Sequence, residues 1–222
     1  MFRPYDSISR AEAAQILANA LKADGYIGNS RFEAYYTDVN DEWYKDAIRL
    51  VSEAGLFKGY GDGSFKPNGQ ITIAEWAATL RRFQNLRKID GNNMGLRYGH
   101  WAIEEVEAAY RAGWLNIYTK GGFSFDADRA ITRQEVVAIA NRAFNRTFDA
   151  LYLARSKNTL IRFADISEDM PLYEEILCAS NTFLTDGEHY RANSITLDNS
   201  TFNIYTDNFV IYPKKFQYNV IR

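Results

Sequence analysis

Apolar residues recur at helical spacing in successive stretches of the chain. Ala13, Ile16, Leu17 and Ala20 share one face, and Trp43, Ala47, Ile48, Val51 and Ala54 share another, the period of an amphipathic helix. The same period runs through Trp76, Ala77, Leu80 and Phe83, through 101–112, and through Val136, Val137, Ile139, Ala140 and Phe144. Tyr173, Ile176, Leu177 and Ala179 add one more helix. Polar connectors separate these stretches at 23–35, 84–97 and 146–162. After Thr185 the pattern becomes β-rich. Ile195-Thr-Leu197, 202–205 and 209–212 read as short strands, with turns at Asp198-Asn199-Ser200 and Asp207-Asn208. Such a hairpin or meander needs the helices to pack on, or it opens a following domain.

The helix starts repeat. Ser9-Arg10-Ala11-Glu12, Thr72-Ile73-Ala74-Glu75 and Thr132-Arg133-Gln134-Glu135 are capping boxes. In each, the hydroxyl takes one orphan amide and the carboxylate reaches back to another, and losing such a cap costs about 1 kcal/mol. Phe2, Phe65 and Phe125 each stand six residues before Ile8, Ile71 and Ile131, and Trp43 and Trp101 each stand twelve before Gly55 and Gly113. Gly55 is placed to end its helix in a left-handed conformation. Gly59, Gly61 and Gly63 permit tight turns. Successive caps lie 63 and 60 residues apart, which marks a repeat protein.

Tyr36-Thr-Asp38, Trp43, Ala47-Ile48, Gly59-Tyr60-Gly61-Asp62-Gly63-Ser-Phe65-Lys-Pro67 and Ile71-Thr72-Ile73-Ala74-Glu75 resemble the S-layer homology repeat. The resemblance covers about residues 2–183. One nearly full copy spans 36–84. A second, at 97–145, opens weakly on Arg97-Tyr98-Gly99-His100, and its glycine loop is altered at 117–123. Residues 1–22 are a back half without a front, and 163–183 a front half without a back. Pairing the halves buries both apolar faces, so the helix at 172–182 is expected to pack beside the helix at 9–22. The expected fold is mainly α: a pseudo-threefold, three-lobed helical bundle over 1–183, closed by the two half-repeats, with a small β-rich extension at 184–222.

The resemblance also implies a function. It predicts a non-catalytic cell-wall anchor that binds an anionic secondary cell-wall polysaccharide, often pyruvylated, in grooves between lobes. Its place would be the extracellular face of a bacterial envelope. In diderm bacteria, similar repeats attach outer-membrane proteins to modified peptidoglycan. The arginine of the family's Thr-Arg-Ala-Glu motif is a ligand contact, and Arg10 and Arg133 match it. A guanidinium beside free helix-start amides suits a carboxylate. Ile73 does not match, so the groove using the second cap is expected to be weakened. The other candidate contacts are Thr72, Tyr60, Gly61, Gly63 and Asp62 around the glycine turn, and Trp43 and Trp101. The tryptophans also fit the apolar helix face, and Asp62 also fits a turn-closing role.

Composition narrows the field. The chain has 222 residues, 46% hydrophobic and 15% aromatic, with a net charge of −2, without the basic footprint that nucleic-acid binding leaves. Its single cysteine, Cys178, cannot form an internal disulfide. No apolar run is long enough to span a bilayer. Met1 leads directly into a motif with no signal peptide, the pattern expected of a trimmed chain. His100 and His189 are isolated, so no metal, cofactor or catalytic triad is expected. A loop at 38–42 lacks the glycine and distal glutamate of a calcium site. Asn145-Arg-Thr147 and Asn199-Ser-Thr201 are sequons, relevant only in a glycosylating host. Two further readings compete. One is a glycan hydrolase using acids among Asp38, Asp41, Glu42, Glu104 and Glu105, none of which is singled out as a pair. The other is assembly with other S-layer subunits, with 202–212 adding a strand to a partner.

Overall fold

The structure, a computed structural model, describes residues 1–29, 31–32, 35–40, 42–120, 122–147, 162–180, 184–185 and 190–191. The helices are α1 (Arg10–Ala23), α2 (Lys45–Glu53), α3 (Ile73–Phe83), α4 (Ile103–Arg111), α5 (Asn116–Thr119), α6 (Arg133–Ala143) and α7 (Tyr173–Ser180). The three long helices with capping boxes start where the boxes place them. Ser9 Oγ accepts from the Glu12 amide while Glu12 accepts from the Ser9 amide. Thr72 and Glu75 do the same. Glu135 accepts from both the amide and the hydroxyl of Thr132.

These starts meet at one centre. Isolated bridges join Ser7 to Thr132, Ser9 to Gln70, and Thr72 to Ala130, so each cap segment touches the other two. The first two amides of each helix donate across the centre: Arg10 and Ala11 to the Gly69 and Pro67 carbonyls, Ile73 and Ala74 to Arg129 and Ala127, Arg133 and Gln134 to Asp6 and Pro4. Ile8, Ile71 and Ile131 sit beneath, all buried. This is the expected pseudo-threefold arrangement.

Two aspartates aim the crossing carbonyls. Asp38 accepts from the Phe65 and Lys66 amides, each at 2.8 Å. Asp165 accepts from Phe2 at 2.7 Å and Arg3 at 2.6 Å. Arg3 and Lys66 are both left-handed at φ 57°, a conformation costly for a non-glycine residue. The paired carboxylate bonds hold that kink, which turns the following proline carbonyl toward the helix start. Counting back from Trp101, the equivalent of Asp38 is Leu96. In that repeat Asp126, the counterpart of Lys66, is not left-handed, so no aspartate is required.

The helix pairing differs from expectation. α1 packs on α2, α3 on α4, and α6 on α7. The helix at 173–180 therefore lies against α6, not beside α1. Each lobe joins the second helix of one repeat to the first helix of the next, so the sequence repeat is not the structural lobe. The termini still close the ring, by a different contact. Phe2 packs on Phe163 at 5.5 Å between ring centroids, and Asp165 grips the N-terminal strap. The loop at 117–123 also differs, since it contains α5, which buries Ile117 and Tyr118. Trp43 falls outside the helix and is exposed, while Tyr44 is buried in its place. In the extension, residues 184–185 and 190–191 form a small sheet with Arg146–Thr147. The strands expected at 195–197, 202–205 and 209–212 lie outside the described residues.

Asp165→Ala should lower unfolding stability by about 2 kcal/mol, the scale of charge-assisted hydrogen bonds. Burial pushes the Asp165 pKa up, but the Arg3 and Phe2 amides outweigh it and hold it below the usual carboxylate range. Its contribution is therefore complete above about pH 4 and fades as pH falls through the lower folded value. Urea titrations of both proteins across pH 2–7 should converge at the acid end. A constant gap would refute this role.

Candidate functional site

A cleft of about 460 Å³ opens between the α1 start and the α3 start, within the size range of ligand sites. Arg10 lies on its floor, only 4% exposed. Its Nε–H donates to the Phe65 carbonyl at 2.9 Å, Nη1 to Glu75 Oε1 at 2.8 Å and Nη2 to the Lys58 carbonyl at 3.2 Å. The guanidinium also lies over Tyr60 at 4.7 Å and Phe65 at 4.9 Å from the ring centroids. Three of its five donors are thus used within the protein. Tyr60 donates to the same Glu75 oxygen at 2.9 Å. Burial, reinforced by Glu75 against the opposing Arg10 charge, pushes the Tyr60 hydroxyl up to about 12, so it remains a donor at neutral pH.

Trp101, Asp128, Arg82, Thr72 and Lys58 also line the cleft. Trp101 is 53% exposed, so about half of its surface stays outside the core. Arg82 donates to the Leu56 carbonyl and faces Glu105. Burial holds its pKa below the ordinary arginine value. Periodicity could not find Asp128, Arg82 or Lys58 as cleft residues, because they reach it from three separate parts of the chain.

The expected free amides are absent. Every helix-start amide discussed above is occupied by a carbonyl or a cap side chain, so an anion here must be met by side chains. The glycine turn contributes only partly. Gly59 and Tyr60 line the cleft, while Gly61, Asp62 and Gly63 do not. Asp62 Oδ1 accepts from the Ser64 amide and hydroxyl, closing its turn, and these bonds hold its pKa below the usual range.

The other two junctions repeat this plan incompletely. Arg133 donates Nε–H to the Phe2 carbonyl at 2.8 Å and lies 3.8 Å from Glu12, as Arg10 does with Phe65 and Glu75. Burial lowers its pKa. Trp43 is the register counterpart of Trp101 and is 54% exposed. At the third junction the arginine is Ile73, and the tryptophan position, two residues before the helix, is Pro171. Glu135 there takes its partner from another position. Arg129 donates Nη1 to Oε2 at 3.0 Å and Nη2 to Oε1 at 2.5 Å. Burial works against ionised Glu135, but the donors from Arg129 and Thr132 outweigh it and hold its pKa low.

Three of the acids considered for hydrolysis have structural partners. Asp38 holds the kink at Lys66, Glu105 is buried against Arg81, Arg82 and Lys88, and Glu104 pairs with Lys88. Asp41 lies outside the described residues, as does His189. Among the described residues, no three His, Cys, Asp or Glu side chains group to hold a metal, and no helix is long and apolar enough to cross a membrane.

Residues 35–75 match the S-layer homology domain. The chain is 36% identical over 159 residues to cell surface glycoprotein 1 of Acetivibrio thermocellus, covering 65% of this chain and 7% of that protein. It is 32% identical over 183 residues to the cellulosome-anchoring protein of the same organism, covering 79% and 39% respectively. It is 26% identical over 189 residues to the surface-layer 125 kDa protein of Lysinibacillus sphaericus, covering 79% and 15%. The chain therefore spans well under half the length of these relatives.

Arg129→Gln should destabilise the fold by about 3 kcal/mol, because it leaves Glu135 buried without its cation. Adding Glu135→Gln should restore much of the loss in a denaturant double-mutant cycle. Additive losses would show that the pair is not coupled.

Proposed function

We propose that this chain, which belongs to the S-layer homology family, is a non-catalytic module that anchors its parent protein on the bacterial cell envelope. It binds an anionic wall glycan in the clefts between lobes. The observation that carries this reading is the cleft at Arg10. Three cationic side chains, Arg10, Lys58 and Arg82, share it with two acids, Glu75 and Asp128, and with the exposed face of Trp101. A cationic floor suits a carboxylate, and an indole face suits the C–H face of a sugar ring. Two of the Arg10 donors remain for a bound acceptor.

The finer reading is a pyruvylated secondary cell-wall polysaccharide on the extracellular face, with the ketal carboxylate toward Arg10. The Arg133 junction is a second, weaker site that uses Trp43. The Ile73 junction is structural, since it lacks both the arginine and the tryptophan and its glutamate is clamped by Arg129. The relatives include a cellulosome-anchoring protein and a surface-layer protein, which supports anchoring as the task.

Calorimetry with pyruvylated wall polysaccharide tests this. The wild type should bind, and Trp101→Ala, at a half-exposed position outside the helices, should weaken binding about tenfold or more. Arg10→Ala with Arg133→Ala should abolish it, with circular dichroism confirming the fold. Failure of the wild type to bind, or full binding by the double variant, would overturn the proposal.

A further inference from the structure

His100 is a buried imidazole with both nitrogens committed. Its side chain is 2% exposed. Nδ1 accepts from the Ala102 amide at 3.1 Å, which places the ring proton on Nε2. Nε2 then donates to Asp128 Oδ1 at 3.0 Å. The ring also stacks on Trp101, with centroids 5.8 Å apart and planes 27° apart. One buried group thus fixes both members of the cleft wall. The carboxylate it fixes is open, with the Asp128 side chain 59% exposed. Among the described residues its second oxygen meets only Arg97, at 3.9 Å, and that side chain is 79% exposed. A buried polar side chain costs stability unless it is satisfied, and here the satisfied imidazole orients an acceptor into solvent beside an aromatic face.

We infer that Asp128 is a specificity-determining residue of the cleft and His100 its positioning residue. Together they select a neutral sugar ring that stacks on Trp101 and donates adjacent hydroxyls to the carboxylate. This rests on the glycan-binding reading and adds a second sugar to it. The cleft presents both hydrogen-bond types. Arg10 and Arg82 bring donors to it, and Asp128 brings an exposed carboxylate acceptor beside the Trp101 face. An acidic sugar alone fills the first and leaves the second unmatched, so the ligand is at least a disaccharide with one acidic and one neutral ring. An ammonium is disfavoured at this carboxylate, because Arg97 already lies beside it and Arg10 and Arg82 share the cleft. The His100 hydrogen bond, aided by the nearby positive charge of Arg97, holds the Asp128 pKa below the usual range, which keeps the acceptor ionised. The feature belongs to this cleft alone by register. Three residues before each central isoleucine stand Asp128, Asn68 and Tyr5.

The test uses the full chain and three probes: a pyruvylated monosaccharide, a pyruvylated disaccharide and the same disaccharide without pyruvate. Asp128→Asn, nearly isosteric and at an exposed position, should weaken the pyruvylated disaccharide about tenfold and leave the monosaccharide unchanged. His100→Gln should weaken the same ligand by less and again spare the monosaccharide. Unchanged disaccharide affinity in Asp128→Asn, or equal losses on both probes, overturns the inference. If the wild type binds neither pyruvylated probe, the anionic reading falls and the neutral disaccharide decides. A shift of the Trp101 indole N–H resonance that is lost in Asp128→Asn upholds the inference, and no shift overturns it.

Discussion

Three helices begin at one point, and the fold follows from what their first amides must find there. A helix start leaves unpaired N–H groups, and burying them unpaired costs free energy comparable to lost hydrogen bonds. Here six of them, at Arg10, Ala11, Ile73, Ala74, Arg133 and Gln134, are taken by carbonyls of the neighbouring repeat. Each helix is thus capped in part by another section of chain. No lobe has a finished helix start by itself, which makes the threefold body one unit and gives Asp38 and Asp165 their importance.

The same constraint directs the chemistry. Helix starts closed by carbonyls cannot cradle an anion, so in the proposed site recognition falls to the side chains that flank them. Arg10 is the residue at which both demands meet. It ties Phe65, Lys58 and Glu75 together across the junction and also lines the cleft. The junction at Ile73 shows the two roles separated. Arg129 supplies the tie to Glu135 from the crossing strand, and nothing comparable faces a cleft with a tryptophan. Structural need is met at all three junctions, while the proposed binding set is complete at one.

Much of this was legible in the sequence. The capping boxes located three helix starts, since hydroxyl and carboxylate at that spacing have one good use. Apolar periodicity found the buried faces of α1, α3, α6 and α7. It misassigned Trp43, which fits the helical phase but lies before the first helical residue, where Tyr44 takes the core position. The lobe pairing was not legible, because periodicity shows which face is buried and not what covers it. Arg10 and Arg133 were found through a motif, but their burial was not, since a charged side chain at a helix start reads as solvated. Asp128 and His100 left no signal at all. They stand 28 positions apart in the chain, and only the fold brings them to the same wall.

Amide hydrogen exchange at Arg10, Ile73 and Arg133 tests the central claim most directly. If these three amides are sealed by the neighbouring repeat, all should exchange in the slowest class, through global unfolding, while the turn amide of Gly61 exchanges quickly. Exchange at any of the three as fast as at Gly61 would mean an open helix start, and would contradict both the closed centre and the side-chain character of the binding site.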